Sequence, residues 1–248
     1  MAAFAIVTLQ PDGYPHTQAF HEIQILIYYS LRDLGHDVTL ATNRFPEGCT
    51  AIVFGAHLLS DAIGIELPAD CILFNTEQLA TGDAKFSEHL LHWAKGRQIW
   101  DYSSFNIDHL KQRVPEAAGV QRLRLGFHPE LQRIDRSVPR IDQFIFYGSL
   151  TPLRNEILAR IQLSNRLQIA GYFGVYGWER NALLGRSRGV LNIHSSPIRI
   201  LEWVRIIMLL ANAIPCLALL APETRSDDDQ LSYLLPASEA APTAELEA

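Results

Sequence analysis

Three scarcities narrow what this chain can be. Cysteine is rare: Cys49, Cys71 and Cys216 are odd in number, far apart and set in apolar or turn contexts. With no CxxC pair, neither a disulfide framework nor a structural zinc site is expected, and reduced thiols fit a cytoplasmic protein. Basic charge is also short. The 21 Lys and Arg are outnumbered by 27 Asp and Glu, the formal net charge is −6, and no Lys/Arg run occurs. That removes the electrostatic footprint of a nucleic-acid binder. Long apolar runs are missing as well. Ala2–Leu9 lacks a basic n-region and is too short for a signal peptide, and Gln24–Leu31 is interrupted and flanked by charge. Neither reaches the roughly 20 residues of a membrane span, although peripheral membrane contact stays compatible with the composition. Several reaction motifs are absent too. There is no GxSxG, no HExxH and, outside Asp227–Asp229 in an acidic tail that reads as a solvated charge run, no DxD.

What is present is an α/β pattern. At 248 residues, 48% hydrophobic and 19% charged, the chain suffices for one large or two small domains. Apolar runs that suit strands buried on both faces fall at Ala3–Leu9, Val38–Ala41, Ala51–Gly55, Cys71–Asn75, Gln98–Tyr102 and Leu123–Gly126. Helical periods lie between them. Thr17 is a plausible cap for the first helix, whose apolar stripe is Phe20, Ile23, Ile27 and Leu31, and Ser103/Ser104 can cap Asn106–Arg113. The first β–α loop holds a single glycine, Gly13, so it is no dinucleotide fingerprint. Phe127–Asp142, polar and proline-containing, reads as a domain boundary. The alternation then restarts with strand Phe144–Tyr147, helix Pro152–Ile161, strand Leu167–Tyr172 and helix Trp178–Gly185. It ends with strand Val190–Ile193, helix Ile200–Asn212 and strand Cys216–Leu220. Two successive Rossmann-like halves, residues 1–130 and a shortened 142–222, are the simplest architecture. Residues 223–248, acidic and rich in Pro and Ala, read as a disordered tail.

Ligands of open α/β sheets gather at the carboxyl ends of strands, so the residues there are the candidates. Gly148 and Ser149 end one strand ahead of Arg154 on the next helix, a pattern that suits an anion held by backbone, helix start and guanidinium. Taken alone it is equally an ordinary β–α turn. Gly174 and Tyr176 form a second such end, where an aromatic face could stack on a base or sugar. His194, Ser195, Ser196 and Arg199 form a third, followed by Glu202 and Arg205 about one helical turn apart. Three neighbouring ends with ligand-like groups point to a phosphate- and sugar-bearing ligand. In the first half His16 opens a helix whose dipole would favour a neutral imidazole, and thus a base. Glu77, in Asn75-Thr76-Glu77-Gln78, could bind acceptor hydroxyls or cap a helix.

These segments, taken in order, resemble the GT-B class of glycosyltransferases. The resemblance is carried by GYPHTQAFHEIQILIYYSLRDLGHDVTLATN, IVFGAHLL, ILFNTEQL, IWDYSSFNI, FIFYGSL, YFGVYGWER and VLNIHSSPIRILEWVRIIMLLANAIP, over nearly all of Ala3–Leu220. It is strongest to a bacterial group with a Tyr-Gly-Ser strand end and an Asn-x-His segment before a Glu-x-x-Arg helix. The resemblance implies two Rossmann-like domains facing a central cleft, a nucleotide-sugar as co-substrate, no other cofactor and no metal. Gly148, Ser149 and Arg154 would hold the donor diphosphate, and Gly174 and Tyr176 would lie near the base. His194, Glu202 and Arg205 would handle ribose and phosphate. His16 would fall at the loop that presents a base or positioning group to the reacting centre, and Glu77, from its place at a strand end, is taken with it as the second catalytic candidate. Many such enzymes carry two glutamates around the last helix, and aligning on Asn212–Pro215 puts Ile200 and Met208 there instead. The expectation is a glycosyltransferase acting on an unknown acceptor. An inactive binding or scaffold protein of the same fold is the alternative, and a sugar-phosphate epimerase is a third.

Overall fold

The computed structural model describes residues 1–59, 65–79, 84–164, 167–195 and 199–239. The chain divides into two compact units, Met1–Glu130 and Leu131–Ala248.

In the first unit six parallel strands form one sheet in the order β2-β1-β3-β4-β5-β6. The strands are β1 (Ala3–Thr8), β2 (Asp37–Thr42), β3 (Thr50–Phe54), β4 (Ile72–Asn75), β5 (Gln98–Asp101) and β6 (Gly119–Arg122). The helices are α1 (His21–Asp33), α2 (Ala84–Ala94) and α3 (Ser104–Arg113). Parallel strands need crossover connections, which cover both faces with helix and leave the central strands apolar throughout. Accordingly Ile6, Val7, Ile52 and Val53, on both faces of β1 and β3, are at most 1% exposed. One face packs Val7, Val53, Leu73 and Ile99 with Leu90 and Leu110 from the helices. Full burial of each such side chain stabilises by about 1.5–3 kcal/mol.

The second unit holds five parallel strands in the order β11-β10-β9-β7-β8. They are β7 (Phe144–Tyr147), β8 (Ile169–Tyr172), β9 (Gly189–Asn192), β10 (Cys216–Leu220) and β11 (Leu235–Ser238), with helices α4 (Pro152–Ser164), α5 (Gly177–Arg186) and α6 (Trp203–Ala211). Phe144, Phe146, Leu191, Ile193, Leu217 and Leu219 pack against Ile157, Leu158 and Ile161 of α4. Together these are mixed α/β units built on parallel sheets. Among the described residues no helix is long and apolar enough to cross a membrane.

Four expectations need correction. The tail read as disordered is partly built into the fold, because β11 pairs with β10 from Leu217↔Leu235 to Leu220↔Ser238. It is clamped by Arg199, whose Nε and Nη2 donate to the Glu239 carboxylate at 3.1 and 2.8 Å, and by Arg160, which donates to the Glu239 carbonyl at 2.6 Å. Residues 240–248 lie outside the described residues. The sixth strand is Gly119–Arg122, not Leu123–Gly126, since the pairing Gln98↔Gly119 sets its register and Val120 packs on the core. The last helix starts at Trp203 rather than Ile200. Ile200 forms a parallel bridge with Arg225, and the Leu201 N–H donates to the Arg225 carbonyl at 2.8 Å. Thr17 does not cap α1: it is buried in a separate 3₁₀ turn, Pro15–Phe20, and α1 begins at His21.

Candidate functional site

A doubly wound sheet opens a crevice where its strand order reverses. In the first sheet that point lies between β1 and β3, and in the second between β7 and β9. The candidate residues sort onto these two places.

In the second unit, Gly148 follows β7 with φ +135°, a backbone conformation side-chain-bearing residues avoid. A Cβ there would lie 3.2 Å from Nη2 of Arg205, so the glycine leaves room for that guanidinium. Arg205 rises from α6 and lies over Tyr147, 5.0 Å from the ring centroid. Its Nη1 is buried without a hydrogen-bond partner among the described residues. Arg154, 2% exposed, is engaged differently. Its Nε and Nη2 donate to the Ile193 carbonyl at 2.9 and 2.7 Å and its Nη1 donates to the Ser149 carbonyl at 3.0 Å. It thereby ties the ends of β7 and β9 together across the reversal point. Nη2 also reaches Glu202 Oε1 at 3.1 Å.

Glu202 is the N-cap of α6, yet its side chain makes no cap hydrogen bond. It turns instead to the guanidinium of Arg154, with the Ser195 hydroxyl 3.4 Å away. Burial alone would raise the Glu202 carboxyl, but Arg205 and Arg154 outweigh it and hold the group below its ordinary value. Burial lowers Arg154 to about 10, partly opposed by Glu202. His194 is fully buried, and burial lowers its pKa against the opposing carboxylates of Glu202 and Glu239. The Thr224 hydroxyl accepts from the Ala221 N–H at 2.9 Å and meets His194 Nε2 at 3.3 Å. With its oxygen so engaged, the hydroxyl hydrogen is free to point at a neutral imidazole. Gly174 and Tyr176 lie beyond β8, the strand paired with β7 through Tyr147↔Tyr172. Phe173 and Trp178, on either side of them, are 59% and 84% exposed. Ser196 lies outside the described residues.

In the first unit, Gly55 follows β3 with φ +87°, and a Cβ there would come within 2.7 Å of the Leu9 carbonyl oxygen. Only glycine lets the ends of β1 and β3 approach this closely. The next residues form a 3₁₀ turn, Ala56–Leu58, that buries His57. Its Nε2 lies 3.5 Å from Glu77 Oε1. Glu77 is pinned by its main chain. Its N–H donates to Asn75 Oδ1 at 3.1 Å, and its carbonyl accepts from Asn75 Nδ2 at 2.9 Å and Asn106 Nδ2 at 2.8 Å. Both amides converge on Asp101, fully buried, at 2.6 and 3.2 Å, and the Ser103 N–H joins at 2.7 Å. Burial lowers the pKa of His57, with Glu77 opposing and His89 assisting. Burial and Glu77 raise that of Tyr14.

His16 lies in the Pro15–Phe20 turn, edge-on to Tyr14 with ring centroids 5.0 Å apart. The long helix whose dipole was expected to act on it starts only at His21. The residue brought to Glu77 is His57, which sequence reasoning passed over. Its signal was there: an apolar run, a glycine, then a histidine at a strand's carboxyl end. Asp101 left no such mark, because a polar residue ending a strand reads as solvated. Among the described residues no group of three or more His, Cys, Asp or Glu is placed to hold a metal ion.

The crystal structure of AviGT4, a glycosyltransferase involved in avilamycin A biosynthesis, is similar to this chain. The match has a TM-score of 0.51 at 11% identity and covers 100% of this chain and 89% of that one. The fold is glycosyltransferase-like. No family model and no curated protein sequence matches. Within a glycosyltransferase-like fold, the reversal point between β7 and β9 presents a cation, Arg205, and the one between β1 and β3 presents a carboxylate next to a buried imidazole.

Proposed function

We propose that the chain is a metal-independent GT-B-type glycosyltransferase that moves a sugar from a nucleotide-sugar donor to an acceptor. The observation that carries this reading is Arg205, held beside Gly148 with a buried, unengaged Nη1. Such a donor is ready for an anionic ligand, and leaving it unmet costs about 1–3 kcal/mol. Arg205 would take the donor diphosphate, Arg154 and Glu202 would frame the strand ends around it, and His194 would contribute from the β9 side. Tyr176 with Phe173 and Trp178 would offer aromatic faces to the base. Charge building on the departing diphosphate would be met by a preoriented guanidinium, the kind of stabilisation that lowers barriers most.

Calorimetry with UDP-glucose, UDP-N-acetylglucosamine, GDP-mannose and dTDP-glucose tests the reading. At least one donor is expected to bind, and Arg205→Ala to weaken it by at least about tenfold, or 1.4 kcal/mol. No binding by any of the four overturns it. A second reading, donor binding without transfer, is favoured by Ile200 and Met208, which stand at the expected glutamate positions and are 3% and 4% exposed. Donor consumption by the purified chain separates the two.

A further inference from the structure

Helix α6 carries Arg205 but does not fix its own start. Its N-cap, Glu202, makes no side-chain cap hydrogen bond and is drawn to Arg154 instead, and no acidic residue stands in the first turn. A helix end without a cap takes its position from the residues that lead into it. Those residues are Arg199-Ile200-Leu201, and the chain beyond β10 grips them. The Arg225 N–H donates to the Arg199 carbonyl at 2.9 Å, and the Arg225 carbonyl accepts from the Leu201 N–H at 2.8 Å. The Arg199 guanidinium then reaches the end of β11, where Nε and Nη2 donate to the two oxygens of Glu239. Its Nη1 meets Glu223 Oε2 at 3.2 Å.

Arg199 has φ +52°. That is the left-handed region, which a residue with a Cβ enters at a cost, and such strain lasts only where the surroundings impose it. An ion pair in open water would impose little. This one is two-pronged, and its Arg199 and Glu239 side chains are only 21% and 10% exposed. Glu239 is itself fixed to the sheet. Its N–H donates to the Leu220 carbonyl at 2.7 Å, and its carbonyl accepts from Arg160 at 2.6 Å. The fork of Arg199 thus bolts a strained turn to a docked strand. The carboxylates of Glu239 and Glu202 both act on the buried His194, so the bolt adjoins the Arg154–Glu202 pair.

We propose that Arg199 and Glu239 are positioning residues for the anion site of the second unit: they hold the left-handed turn ahead of α6 and so set where Arg205 stands. The proposal rests on the reading of Arg205 as the group that takes an anion. Neither residue touches the ligand. Glu239 acts through Arg199, and Arg199 acts through the main chain that enters α6 at Glu202. Arg205 is then held from both sides, by the turn before its helix and by the glycine, Gly148, that makes room for its guanidinium.

The test uses the full chain, with calorimetric affinities for UDP-glucose and for inorganic pyrophosphate. Glu239→Gln, which keeps the shape and removes the charge, is expected to weaken binding by about fivefold, the low end of coupling between separated sites. Arg199→Ala loses the fork and keeps the strain, and is expected to weaken binding at least as much. Arg199→Gly also loses the fork but adopts the left-handed turn freely, so it is expected to bind about threefold more tightly than Arg199→Ala. Adding Glu239→Gln to Arg199→Gly is expected to change nothing further. Should Glu239→Gln fail to fold, the two Arg199 variants decide. Equal weakening by alanine and glycine would mean that the pair only tethers β11, and overturns the proposal. Native-like binding by Glu239→Gln and Arg199→Ala also overturns it and spares the transferase reading. Pyrophosphate binding that depends on Glu239, without UDP-glucose binding, sustains the positioning role and sinks the nucleotide-sugar reading. Binding of neither probe sinks both.

Discussion

After β3 the chain sets an uncharged imidazole behind a half-exposed carboxylate, and after β7 it sets a guanidinium beside a glycine. Both positions are the reversal points of wound parallel sheets, so topology alone would give them the same role. The difference lies in what stands behind the exposed group. The first unit uses amides: Asn75 and Asn106 on a single buried carboxylate, Asp101, fixing a backbone. The second uses charge: Arg154 and Glu202 paired in the interior at 3.1 Å, with Arg154 tying two strand ends by their carbonyls. One edge presents a carboxylate and the other a guanidinium.

The largest expected effect breaks the charged edge. Glu202→Ala leaves the buried Arg154 without its carboxylate, and removing one partner of a buried pair costs about 3–5 kcal/mol. Chemical denaturation should show this loss, with faster hydrogen exchange in β7 and β9. Asp101→Asn is isosteric but turns an amide N–H toward a donor: Asn75 Nδ2 on one side, or the Ser103 N–H and Asn106 Nδ2 on the other. It should cost about 2 kcal/mol in denaturant melts, the penalty for a buried unsatisfied donor. Gly55→Ala places a Cβ against the Leu9 carbonyl in a left-handed conformation. Its expected cost is about 1–2 kcal/mol for the backbone alone, and loosening of the His57 turn should appear as new ring shifts by NMR.

The smallest effect is shared by both edges. His57 and His194 have folded pKa values lowered chiefly by burial. Their stabilising effect is complete above the unfolded value of about 6.5 and drains as pH falls from there toward the folded values. Stability should therefore decline in mild acid. A His57→Gln protein that kept the same acid sensitivity would remove His57 from the effect, leaving it to His194 and to His109, whose pKa burial and Arg113 also lower.

Much of this fold was legible because its strands are apolar on both faces. Phe144–Tyr147 and Cys216–Leu220 stand where their runs of large side chains lie in the sequence. Strand order was not legible, since it depends on contacts between distant runs. β11 was hidden by the acidic, proline-bearing residues around it: Leu235–Ser238 pairs as an edge strand, where a proline such as Pro236 is tolerated. Arg154 and Arg205 were both visible as candidates. Their division of labour was not, because it turns on whether the carbonyls of Ile193 and Ser149 lie within reach. His57 was missed for the same kind of reason, as its meaning comes from Glu77, which another strand delivers.

The placement of β11 sets an order of events during synthesis. The first sheet is complete once residue 122 has emerged, so that unit can close early, as domains that fold while the chain is still growing do. The second sheet waits until residues 235–239 arrive. Until then β10 presents Leu217 to Leu220 along an unpaired edge, the kind of surface other chains add to. Arg199 and Arg160, which grip Glu239, then hold β11 over that edge.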